Sequence, residues 1–157
     1  MLVQVMFPHG YQRVAALAYH PRRPLVCTAG QDCNLKLWSM SGSDALSLPP
    51  GVKPSEDGAD SQHWTCAAVR TFRPTACRAA AFSCDGAVVA ASYGAAVVLC
   101  SAESLARLAV LTHPLVSDCI LSLSFLVASP TLVAASTDAV IVWDLRTSRV
   151  KYALNGK

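Results

Sequence analysis

The sequence predicts an all-β chain built from repeated small antiparallel sheets, and three observations carry that expectation. Of the 157 residues, 53% are hydrophobic while only 7% are aromatic and 15% are charged. The apolar content therefore rests on Ala, Val, Leu and Cys, small or β-branched residues that suit thin, closely packed layers. Runs of period-2 alternation stand between Gly, Pro and Asp punctuation, which is the pattern of strands and turns. The same succession of pieces also occurs three times, in residues 13–38, 77–100 and 119–144. A chain of this length accommodates one domain or a piece of a larger one.

The first unit reads RVAALAYHPRRPLVCTAGQDCNLKLW. Val14–Tyr19 alternates and ends on an aromatic, prolines mark a turn, Leu25–Ala29 is a small-residue apolar run, and Leu35–Trp38 closes the unit with a second alternating run. The second unit, CRAAAFSCDGAVVAASYGAAVVLC, repeats this order through Phe82, an Asp85-Gly86 turn, VVAASYG and VVLC. The third, CILSLSFLVASPTLVAASTDAVIVWD, does so through Phe125, Pro130, LVAAST and VIVW. Fourth strands are expected at Trp64–Phe72, Ala106–Leu111 and Val150–Leu154. Spacing from Tyr19 to Phe82 is 63 residues and from Phe82 to Phe125 is 43, and the other end of each unit agrees, with 62 from Trp38 to Cys100 and 43 from Cys100 to Trp143. The excess in the first interval falls on SMSGSDALSLPPGVKPSEDGADSQH, whose Ser, Gly, Pro and acidic residues read as a disordered surface insertion over 41–62.

A period of 43 lies within the roughly 40–45 residues of a WD-repeat propeller blade, and the chain resembles WD-repeat proteins over residues 9–156. The resemblance implies an all-β fold of about three four-stranded blades, at about 13–72 with the insertion 41–62, 76–111 and 119–154. Because three blades leave two open faces, it also implies a piece of a larger propeller. PLVCTAGQDCNLKLW matches the second and third strands of a blade without a gap. Carried over, His9 takes the loop-histidine position, Thr28 the strand hydroxyl, Asp32 the tight-turn aspartate and Trp38 the indole, which in that family form a buried hydrogen-bonded chain within one blade. His9 sits one residue farther from Val14 than the pattern prefers. The second unit departs, with Gly94 at the turn aspartate and Cys100 at the indole. The third carries His113, Asp138, Trp143 and Asp144 but has Ala135 at the hydroxyl position.

HWTCAAV, PTACRAAAFSCDGAVVAASYGAAVVLCSAESL and LVAASTDAVIVWDLRTSRVKYAL follow in an order and spacing similar to a nucleolar WD-repeat subunit of the UtpA (t-UTP) part of the small-subunit processome. That resemblance implies a non-catalytic scaffold in ribosome biogenesis that supports pre-18S rRNA transcription and processing. Its partners would be the proteins of a multi-subunit nucleolar assembly, with pre-rRNA contact indirect or weak.

Other chemistries find little footing. Trp143-Asp144-Leu145-Arg146 matches the WD-x-R box of cullin-type ubiquitin-ligase substrate receptors, so Asp144 and Arg146 are the contacts of the alternative, adaptor reading, although Trp-Asp is also the repeat's own signature. Neither a G-x-S-x-G elbow nor a G-x-x-x-x-G-K-[ST] loop is present, and no catalytic residue, cofactor or small-molecule substrate is expected. Seven cysteines include no C-x-x-C pair, and Cys27 and Cys33 have a spacing that fits no zinc pattern. Together with an N-terminus lacking a signal-like apolar run, they read as those of a reduced, intracellular chain. A net charge of +3 is too small to drive RNA binding by itself. The longest run free of charge and proline, Gly86–Ala102, is too short and too polar to span a bilayer.

Overall fold

The computed structural model describes residues 9–41 and 63–156. Apart from Ser41, the insertion expected at 41–62 lies outside the described residues. Twelve strands occur among those described: β1 (Val14–Tyr19), β2 (Leu25–Gly30), β3 (Asn34–Ser41), β4 (His63–Thr71), β5 (Ala80–Phe82), β6 (Val88–Tyr93), β7 (Ala96–Ser101), β8 (Arg107–Leu111), β9 (Ile120–Phe125), β10 (Thr131–Ser136), β11 (Ala139–Asp144) and β12 (Arg149–Asn155). They form three four-stranded sheets, each an antiparallel meander of consecutive strands. This is the all-β blade architecture that the alternation and the repeat spacing predict.

The three sheets share one irregularity. Between the third and fourth strands the pairing slips at Leu37/Trp38, at Leu99/Cys100 and at Val142/Trp143. A β-bulge strengthens the local twist, so the outermost strand of each sheet turns at the same point, next to the residue that the repeat places at its end.

The sheets stack side by side, with β1 beside β5, and β5 and β6 beside β9. Two hydrophobic seams fill the gaps. The first holds Cys27, Leu35, Leu37, Phe72, Val89, Val98 and Cys100. The second holds Ala90, Val97, Leu99, Ile120, Leu132, Ile141 and Trp143. Successive side chains of a strand point to opposite faces, so β6 sends Val89 and Ala91 into the first seam and Ala90 into the second, while β7 sends Val98 and Cys100 one way and Val97 and Leu99 the other. Burial on both faces explains why these strands read as unbroken apolar runs. The outer sheets are covered on one face only. Ala16 and Ala18 pack toward the first seam while Leu17 and Tyr19, which alternate with them, are exposed, and Tyr152 and Leu154 are exposed on the last strand.

Candidate functional site

The polar chain of the first sheet begins at the β2–β3 turn. Cys33 N–H closes that turn on the Gly30 carbonyl at 3.2 Å, and Cys33 itself takes a positive φ of 64°. Asp32 is thereby aimed back over the end of the sheet, where the loop carrying His9 is held by Gln31 N–H donating to the Arg13 carbonyl at 3.0 Å. His9 is buried and packs directly against Gly30: a Cβ there would meet the imidazole at 2.6 Å, so only glycine admits the ring.

The hydrogen bonds then run in one direction. Trp38 Nε1–H donates to Thr28 Oγ1 at 2.8 Å, the Thr28 hydroxyl meets His9 Nε2 at 2.9 Å, and His9 Nδ1 meets Asp32 Oδ1 at 2.6 Å. The indole is a donor only, so the threonine hydroxyl donates onward to Nε2 and the imidazole carries its proton on Nδ1, an assignment fixed by the network. Asp32 also accepts from Asn34 through Nδ2 at 2.7 Å and through N–H at 3.2 Å, with Lys36 Nζ at 3.9 Å. Burial alone would raise the Asp32 carboxyl, but the hydrogen bonds from Asn34 and His9 outweigh it and hold it below the ordinary carboxylate value. Both ring nitrogens of His9 are engaged, so the histidine has no free position for proton transfer to a substrate. The arrangement ties a loop to a turn to a strand.

The other two sheets hold no such chain. In the second, Ser92 is buried and its hydroxyl accepts from Arg78 N–H at 2.9 Å and Ala79 N–H at 2.8 Å, stitching the approach to β5 onto β6. In the third, Asp138 takes the Ser117 hydroxyl at 2.6 Å, whereas His113 Nδ1 only accepts from Leu115 N–H at 3.2 Å. Asp138 and Trp143 are thus not linked to a histidine, and Trp143 is a core residue, 2% exposed in the second seam. The hydroxyl position expected at Ala135 is occupied by Ala134 instead. Thr28 pairs with Lys36, two residues before Trp38, and the residue pairing two before Trp143, with Ile141, is Ala134. The β10–β11 turn, Thr137-Asp138, is one residue shorter than Gln31-Asp32-Cys33, which shifts the alignment. Asp144 is spent on its own turn, accepting from Arg146 N–H at 2.9 Å with Lys151 Nζ at 3.6 Å, while the Arg146 side chain is exposed.

A second polar junction escaped the sequence reading. His20, buried after β1, accepts at Nδ1 from Arg22 N–H and Arg23 N–H at 3.0 and 2.9 Å, and its Nε2 meets the Gly86 carbonyl of the next sheet at 3.1 Å. Gly86 has φ +79° and a Cβ there would meet the imidazole at 2.2 Å, and the ring stands edge-on to Phe82 at 5.2 Å. Burial and then the Arg23 charge lower the His20 pKa, with the Gly86 carbonyl and Asp85 pulling the other way. Nothing local in the sequence ties His20 to a residue 66 positions on. Among the described residues, no cluster of three or more His, Cys, Asp or Glu could hold a metal ion.

No curated protein matches the chain. Solved structures do. One described as the structure of U3-55K superimposes with a TM-score of 0.67 at 20% identity, covering 93% of this chain and 40% of that one. The crystal structure of RRP9 WD40 repeats gives 0.64 at 20% identity, covering 93% and 39%. The chain therefore spans about 40% of the length of the structures it matches, and the likeness establishes the propeller fold. A family model matches residues 2–155, nearly the whole sequence, and by that match the chain belongs to the family of the second β-propeller of WD repeat-containing protein 75.

Proposed function

We propose that the chain serves as a non-catalytic scaffold in ribosome biogenesis, one of the protein surfaces on which the small-subunit processome assembles in the nucleolus. The observation that carries this reading is the family match over residues 2–155, joined to the similarity in order and spacing to a subunit of the UtpA subcomplex. The chemistry agrees with it. The most elaborate polar constellation, His9, Thr28, Asp32 and Trp38, is consumed in holding one sheet together. Support of pre-18S rRNA transcription and processing follows from membership of that assembly, with the chain working through protein contacts.

The test is depletion of the endogenous protein with parallel imaging of a fluorescent fusion. Accumulation of unprocessed pre-18S precursors and concentration of the fusion in nucleoli are the expected results. A diffuse fusion with unchanged pre-rRNA would overturn the assignment.

A further inference from the structure

At the end of the stack that carries the β1–β2, β5–β6 and β9–β10 turns, a groove of about 640 Å³ opens between the second and third sheets. Its floor is apolar, formed by Val88, Phe125, Val127, Pro130 and Leu145, and Arg22 and Arg146 stand at its rim. The β9–β10 loop is held open in an unusual way. Ala128 sits at φ +57°, a region alanine rarely adopts, and Cys84 Sγ donates across the seam to the Leu126 carbonyl at 3.2 Å. The result is that Val127 is presented to solvent at 86% exposure and Leu126 at 49%. Backbone strain in a loop that offers apolar side chains outward is typical of a ligand clamp.

We infer that this groove docks a short extended protein segment in which apolar side chains alternate with carboxylates. Apolar residues of the segment cover Val127 and Phe125, and its carboxylates reach Arg22 and Arg146. Charge complementarity supports that occupant. Among the described residues neither guanidinium makes an ion pair or a hydrogen bond, and planar guanidinium groups bind carboxylates in two-pronged fashion. Asp85, also in the lining and engaged by the Ser83 hydroxyl and Ala87 N–H, offsets part of the Arg22 charge, and with Arg146 the groove keeps a positive balance. RNA is the poorer occupant, because single strands bind by stacking bases on aromatic rings, and the groove offers one aromatic, the half-buried Phe125. This inference does not rest on the ribosomal assignment.

The full chain, tethered at low density to a biosensor surface so that copies stay apart, is titrated with a ten-residue peptide alternating leucine and aspartate. Counterparts carry lysine for aspartate or serine for leucine, and an oligouridine of equal length is run alongside. Binding of the first peptide at least tenfold tighter than of the others is expected, as is loss of at least tenfold with Arg22→Glu or Arg146→Glu and no change with Arg13→Glu at the opposite end. Hydrogen exchange of the unmodified chain should slow at 83–88 and 126–130 when that peptide is added, a readout that needs no variant. Equal binding of the lysine or serine peptide, preference for oligouridine, or protection confined to other segments would overturn the proposal.

Discussion

On one face of the first sheet stand Val26, Thr28, Lys36 and Trp38, while the corresponding face of the second sheet carries Val89, Ala91, Val98 and Cys100 in the same register. In the second sheet that face is pressed into the seam with its neighbour, and every one of the four is buried. In the first sheet it looks outward, and the hydrogen-bonded chain from Trp38 to Asp32 crosses it. The same strand geometry is thus held by two means. Where a sheet is sandwiched, burial on both sides suffices and the polar chain has been replaced by small apolar side chains. In the first sheet directed hydrogen bonds fix the turn and the preceding loop instead.

The comparison can be broken most forcefully in the sandwiched sheet. Leu99→Ala empties part of the second seam and is expected to cost about 2–5 kcal/mol, as large-to-small core changes do, read as a lowered midpoint in urea. A shift under about 1 kcal/mol would show that the seam collapses to fill the space. In the first sheet, Asp32→Ala leaves the His9 ring N–H buried without its acceptor and should cost about 1–3 kcal/mol. A double-mutant cycle with Thr28→Val should return a coupling of about 0.5 kcal/mol or more, since the two residues act through one imidazole. Additive effects would mean that the chain is a set of independent contacts.

Acid sharpens the contrast further. The Asp32 carboxyl is held below its ordinary value of 3.8, so it contributes stability that is present above that value and lost as pH falls through the folded-state pKa. Asp32→Asn should therefore flatten the acid limb below about pH 4. His20 also has a lowered pKa, and as a base it is neutral in the fold, so its contribution is full above the ordinary 6.5 and declines as pH drops below it. Protonation would place a hydrogen on Nδ1, where two backbone N–H groups already point. The expected outcome is a loss of stability as pH falls below 6.5 that His20→Gln lacks, measured by denaturant midpoints over a pH series.

The smallest effect is a difference in rate. Burial pushes the Cys77 thiol up to about 12 and raises Cys27 and Cys100 as well, all three within the first seam. Iodoacetamide at pH 8 should modify exposed Cys66 and Cys84 well before these three, because the thiolate is the reactive form. Early labelling of Cys77, detected by peptide mass spectrometry, would mean that the first and second sheets part readily.

Strand positions were legible because alternation and small-residue runs between turn residues report burial: VVAASY and AVVLCS are short apolar runs set off by Asp85-Gly86 and Gly94, and the structure covers them on both sides. The roles of Thr28, Asp32 and Trp38 were legible because they lie within eleven residues of one another, across a single turn. His9 reached the same cluster from outside the sheet even though its spacing was off by one, since a loop absorbs a residue that a strand cannot. What escaped notice was set by long-range packing. The one-residue shorter turn at Thr137-Asp138 moved the hydroxyl position from Ala135 to Ala134, and the His20–Gly86 junction depends on how two sheets lie against each other.

The alternation of β6 and β7 between two seams also governs how this protein can change length over evolutionary time. One codon inserted within Val88–Tyr93 would turn Val89 and Ala91 away from the first seam and Ala90 toward it, exchanging both linings at once. The same insertion in Arg149–Asn155, exposed along its whole length, takes no side chain out of a core. Insertions and deletions are therefore expected to accumulate in the outermost strands and the turns of related sequences, while the middle sheet keeps an invariant residue count even where its amino acids drift.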